Sequence, residues 1–127
     1  MFSSLIESLY DVNHCGLVGY SSSELNIKDC SVTGSTITGA MSSAGAIAGH
    51  ISAGHNSTLT NVKVADCTVK GERVDKSGYI VGTSNNGKTV ITTDPACANN
   101  TVFDVANSTT AYGRIVGGTL TLDGVAK

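Results

Sequence analysis

The chain of 127 residues has no tryptophan, a single proline and only 5% aromatic residues. A core without large rings must be built from Val, Ile, Leu, Ala and Thr, which stack well on a pleated surface. Charge is scarce too: 14% of residues are charged, where ordinary soluble domains carry about a quarter. The net charge is −2 and the Lys and Arg residues are scattered singly. With no basic stripe to neutralise phosphates, nucleic acid is not an expected partner. No apolar run approaches the ~20 residues of a membrane-spanning helix, so membrane insertion is not expected either. Residues 1–7 lack the basic start and cleavage site of a signal peptide. If the protein is exported, the sequence is a mature fragment or part of a longer chain. The four cysteines, Cys15, Cys30, Cys67 and Cys97, form no C-x-x-C pair, which argues against a zinc site.

What is abundant is glycine, Ser, Thr and Asn, arranged in a repeat. Four times the chain writes a small residue, a spacer, two aliphatics and a glycine: Cys15-Gly16-Leu17-Val18-Gly19, Gly45-Ala46-Ile47-Ala48-Gly49, Gly78-Tyr79-Ile80-Val81-Gly82 and Gly113-Arg114-Ile115-Val116-Gly117. The closing glycines lie 30, 33 and 35 residues apart, a period typical of stacked supersecondary units. Aligning the copies puts Leu17, Ile47, Ile80 and Ile115 in one column and Val18, Ala48, Val81 and Val116 in the next. The glycines Gly19, Gly49, Gly82 and Gly117 are read as tight backbone positions, not as a phosphate cradle.

Short strands are expected around each glycine, at 16–20, 45–51, 78–83 and 113–118. A second set is expected at 25–28, 59–64, 88–92 and 119–122, and a third at 30–38 and 67–70. In all of them apolar residues alternate with Thr, Ser or Lys, the period of a half-buried strand. Residues 2–11 carry an apolar stripe, Phe2, Leu5, Ile6, Leu9 and Tyr10, with Ser4 and Glu7 at capping-box spacing. Residues 1–14 are therefore expected to be an amphipathic helix capping a repeat domain of residues 15–127. Asp94-Pro95-Ala96-Cys97 interrupts the third unit and should be a loop or an edge, because proline donates no ladder hydrogen bond. Strands repeating every thirty or so residues without intervening helices leave two architectures. One is a parallel β-helix, whose like residues stack between coils; the other is an antiparallel sandwich or barrel. The column-wise matching favours a short right-handed β-helix of about four coils. Two cysteines support it, since Asp29-Cys30-Ser31-Val32 and Asp66-Cys67-Thr68-Val69 look equivalent. Cys30 and Cys67 would then form a ladder of small buried side chains, with a disulfide as the second reading.

The glycine-flanked segments Gly16-Leu17-Val18-Gly19-Tyr20, Gly78-Tyr79-Ile80-Val81-Gly82 and Gly113-Arg114-Ile115-Val116-Gly117 resemble the GLUG motif of bacterial cell-surface proteins. Residues 27–34 and 64–71 look like the companion x-x-Cys-x-Val-x-Gly part of such arrays. The resemblance covers most of residues 15–124. It implies a β-helix segment in a secreted or surface-anchored bacterial protein, often beside adhesive or carbohydrate-active modules, and it brings no catalytic residues.

No other motif prescribes a chemistry. His50 and His55, together with Asp66, would be the only metal candidates among the histidines, but a spacing of five across a turn has no fixed geometry. Asp29, Asp66 and Asp94 would line one edge if their turns were equivalent, and a calcium ladder would then relieve their repulsion; Asp in such turns also bonds its own backbone. The triplets Thr36-Ile37-Thr38, Thr58-Leu59-Thr60 and Thr119-Leu120-Thr121 raise ice binding, although they occupy different places in their units. Asn56-Ser57-Thr58, Asn99-Asn100-Thr101 and Asn107-Ser108-Thr109 match glycosylation acceptors, as chance allows in this composition. The sequence therefore points to no enzyme and no cofactor. It suggests a structural or adhesive surface module that presents a polar face to glycan or host protein, or spaces other modules. The alternative is a carbohydrate-active fragment. The end after Asp123-Gly124 shows no cap, which raises end-to-end self-association or continuation in a longer chain.

Overall fold

The computed structural model describes residues 18–21, 25–38, 43–51, 56–70, 74–85, 87–102 and 110–127. The expected helix at residues 2–11, like Leu17, His14, Cys15 and His55, lies outside the described residues. Within them the protein is all-β, with one 3-10 turn at Val74–Lys76 and no α-helix. The strands are β1 (Val18–Ser21), β2 (Asn26–Lys28), β3 (Ser31–Thr33), β4 (Thr36–Thr38), β5 (Ala48–Ile51), β6 (Ser57–Ala65) and β7 (Thr68–Lys70). They continue with β8 (Val81–Asn85), β9 (Lys88–Thr93), β10 (Thr101–Val102), β11 (Tyr112–Val116), β12 (Thr119–Leu122) and β13 (Val125–Ala126).

These strands form three sheets, ordered β1-β5-β8-β11, β10-β7-β4 and β13-β12-β9-β6-β2, with β3 also paired to β6. Every pairing is parallel except β12 with β13. Partners lie 30 to 33 residues apart in all three sheets, as in Val18 with Ala48, Ala48 with Val81, Ser31 with Lys63 and Thr68 with Thr101. This arrangement excludes the antiparallel sandwich and is compatible with a β-solenoid.

Alternation explains which side chains meet. Ile27, Leu59, Ile91 and Leu122 are successive register partners, and the first three are essentially inaccessible. Val32 stacks on Val64, and Ile37 on Val69. Each such aliphatic contributes roughly 1.5–3 kcal/mol on burial. Two hydroxyls inside this core satisfy each other, Ser84 Oγ and Thr89 Oγ1 at 2.8 Å.

Residues that tolerate positive φ set the turns between strands and the register irregularity inside β6. Asp29 and Asn61 take φ of 55° and 53°, and Asn61 Nδ2 donates to Asp29 Oδ1 at 2.9 Å. Five residues further along, Gly34, Asp66 and Asn99 form a second set, at φ of 61°, 55° and 58°. Asn and Asp occupy this region more readily than other side-chain-bearing residues. Pro95 sits in a turn in which Cys97 N donates to Asp94 O at 3.1 Å and Ala96 N to Asp94 Oδ1 at 2.8 Å. The loop expected there is what forms.

Three sequence expectations about alignment require correction. Gly82 lies opposite Gly113, not Gly117, because Val81 pairs with Tyr112. The strand therefore places Ala111 beside Ile80, while Ile115 pairs with Ser84. Gly117, at φ 62°, instead makes the turn between β11 and β12. Second, Cys30 and Cys67 are not register neighbours. Lys63 N donates to Cys30 O, placing Cys30 beside Val62, whereas Cys67 lies between Ser35 and Asn100. Cys30 is disulfide-bonded, while Cys67 is a buried free thiol donating to Ala65 O at 3.2 Å and Val32 O at 3.3 Å. Third, the segment after Asp123-Gly124 does cover β12: β13 folds back antiparallel on it, pairing Leu122 with Val125, and becomes the last strand of that sheet.

Candidate functional site

The glycines of the repeat decide what can approach the four-stranded sheet. A Cβ on Gly82 would meet Gly49 O at 2.5 Å, Ala44 N at 2.6 Å and Lys76 O at 2.7 Å. A Cβ on Gly113 would meet Lys76 C at 2.5 Å and Gly82 O at 2.6 Å, and would also strike Ser77 N. Only bare backbone lets the segment around Ala44 and the 3-10 turn at Val74–Lys76 lie against β8 and β11. The two segments are joined by a parallel bridge between Ala44 and Ser77.

That seating creates a cleft of about 250 Å³ lined by Ser43, His50, Lys76, Thr83, Asn85, Arg114 and Val116. His50, Thr83 and Arg114 are direct register partners across β5, β8 and β11. Each follows an aligned glycine by one position: Gly49-His50, Gly82-Thr83, Gly113-Arg114. Thr83 is nearly covered, and its Oγ1 shares a 2.7 Å hydrogen bond with Ser43 Oγ. Asn85, beside Val116 in register, keeps its Oδ1 buried with no hydrogen-bond partner among the described residues. Arg114 is exposed and Lys76 half-buried.

The described lining residues bring two permanent cations and an imidazole together, with no carboxylate among them. Asp75 adjoins Lys76 but is exposed and does not line the cleft. Burial, and then the Lys76 ammonium, hold the His50 imidazole below its ordinary value, so it is neutral at pH 7. The charged groups among the cleft's described lining residues are cationic, bordered by hydroxyls and an amide. The cleft can accept an anion through charge-assisted hydrogen bonds; no group in it is placed as a nucleophile with an adjacent base.

The other residues singled out from sequence do not converge here. Asp66 sits at the turn between β6 and β7, aligned with Gly34 and Asn99. Asp29 is beside Asn61, not Asp66, so the two carboxylates do not stack. Among the described residues no three His, Cys, Asp or Glu side chains cluster as metal ligands. Thr36 is in one sheet, whereas Thr58 and Thr121 flank Val90 in another, so the triplets share no common face. The thiol of Cys97 is pushed up mainly by burial and further by Asp94 and Asp123, against a weaker lowering by hydrogen bonds from backbone amides including that of Val64. It stays protonated and is a poor nucleophile. Lys76, Arg114, Ser43 and Asn85 were missed by motif reading, because the signal that unites His50 with Arg114 is the position after the aligned glycine, visible only in the true register. No described helix is long and apolar enough to cross a membrane. No protein family, curated protein or solved structure matches the chain.

Proposed function

We propose that the chain is a right-handed β-solenoid of about four coils, of the GLUG type, serving as a structural or adhesive module of a secreted or cell-surface protein. Its work is to present a polar face to glycan or host protein, or to space neighbouring modules. The observation that supports this reading most is the common offset of 30 to 33 residues in all three sheets. Such an offset lines up side chains of successive units into outward columns, as with exposed Thr36 and Thr68 followed by Thr101. Solenoids gain binding area by extension, so many weak polar contacts add along one face. Because β11 and β10 end their sheets among the described residues, association with another copy or a longer chain would use those edges.

A glycan array, run with purified protein, tests the binding reading. Retention on one or more carbohydrate classes supports it, and silence across neutral and acidic glycans alike removes glycan adhesion, leaving host-protein contact or the spacer role. Incubating polysaccharides with the protein and measuring new reducing ends or unsaturated products tests the rival carbohydrate-active reading; any such product would overturn the proposal.

A further inference from the structure

We infer that the cleft between β5, β8, β11 and the Val74–Lys76 turn binds an acidic saccharide, holding a sugar carboxylate between Lys76 and Arg114 while its hydroxyls meet Ser43, Thr83 and Asn85. The inference rests on the surface-module reading and names the ligand class for it.

Three observations carry it. The cleft, about 250 Å³, is the size of one or two sugar rings rather than an extended chain. The cationic groups come from separate elements, Lys76 from the 3-10 turn and Arg114 from β11, and converge on one concavity whose described lining has no carboxylate. Arginine's planar fork suits a carboxylate, and lysine adds a mobile point charge. The third observation separates a sugar from a bare anion. Asn85 Oδ1 is buried without a hydrogen-bond partner among the described residues, so turning it toward a ligand hydroxyl breaks no bond it now makes. A sulfate ion or a bare carboxylate, ionised at neutral pH, has no proton to donate to that oxygen; a sugar hydroxyl has. The hydroxyls of Ser43 and Thr83, already bonded to each other at 2.7 Å, keep further donor and acceptor capacity for a second ring hydroxyl.

His50 gives the site a pH dependence. It faces Lys76 from the turn, Arg114 two strands away on β11 and Thr83 between them, with Tyr20 its register partner on β1. A bound carboxylate favours the protonated imidazole, so affinity rises as pH falls from 7.5 to 5.5, a window in which uronates stay ionised.

The test is titration calorimetry with a panel of uronate tetrasaccharides, their neutral methyl esters, a tetraglutamate peptide and inorganic sulfate. The expected result is binding of at least one uronate oligomer, weakened about tenfold or more for its methyl ester, and negligible binding of peptide and sulfate. Arg114→Gln, at an exposed position, should weaken uronate binding about tenfold with an unchanged melting temperature, and His50→Gln should abolish the pH trend. Lys88→Gln, exposed on β9 outside the cleft, should leave binding unchanged. Equal binding of acid and ester overturns the carboxylate role while the glycan reading survives. Equal binding of the peptide overturns the saccharide. If no uronate binds, the inference falls, and the glycan array then decides separately whether the broader reading falls with it.

Discussion

Replacing Gly82 with alanine tests how the sheet is held together. The new Cβ would sit 2.5–2.7 Å from three backbone atoms, Gly49 O, Ala44 N and Lys76 O, where ordinary carbon–oxygen contacts begin near ~3.3 Å. None of these atoms is the end of a flexible side chain, so relief requires moving β5, the Ala44 segment or the Val74–Lys76 turn. Overpacking typically costs about 1–3 kcal/mol, and three simultaneous backbone contacts place Gly82→Ala at the upper end, about 3 kcal/mol. A chain of this length loses about 4 °C of Tm per kcal/mol, so the expected fall is about 12 °C. Gly34→Ala is the internal control. Gly34 has φ 61° and open space around its Cβ direction, so alanine there meets only the left-handed penalty of about 1 kcal/mol, near 4 °C. Thermal unfolding followed by far-UV circular dichroism measures both. A Gly82→Ala loss equal to or smaller than that of Gly34→Ala would refute the close approach of backbones at the repeat glycines.

Asn100→Ala should cost about 2–4 kcal/mol by denaturant unfolding, since Asn100 Oδ1 accepts from Cys67 N at 3.1 Å and Nδ2 donates to Val64 O at 2.9 Å, all buried; a loss under about 1 kcal/mol would contradict that role. Stability should also depend on pH through His50, whose folded value lies below 6.5. Below pH 6.5 the unfolded chain protonates first, so this contribution is complete above that pH and is lost as pH falls toward the depressed folded value. His50→Gln should flatten that part of the stability–pH curve, and an unchanged slope would show that His50 is not held neutral.

The elements were largely legible because Val, Ile and Thr alternation is a local property. Strands expected at 88–92 and 119–122 appear as Lys88–Thr93 and Thr119–Leu122. Register was harder, since two different requirements select the same residue types. Glycine serves both close packing, at Gly113, and a left-handed turn, at Gly117; the sequence motif contains both, four residues apart. The Asp-Cys pairs misled for the same reason. Asp29 and Asp66 each meet the local demand for positive φ, but at different corners of their units, so likeness of turn chemistry imitated likeness of position. The candidate cleft was hidden by that error, because Arg114 comes beside Thr83 and His50 only when Gly113 is aligned with Gly82.

The register itself is the central claim, and it is directly measurable in a chain of 12.9 kDa by scalar couplings across backbone hydrogen bonds in solution NMR. The structure predicts couplings from the amide nitrogens of Thr58, Lys63, Thr68 and Thr101 to the carbonyl carbons of Leu25, Cys30, Ser35 and Cys67, respectively. Couplings that instead joined the stretch after Asp66-Cys67 to the stretch after Asp29-Cys30, or an antiparallel pattern across these strands, would contradict the account.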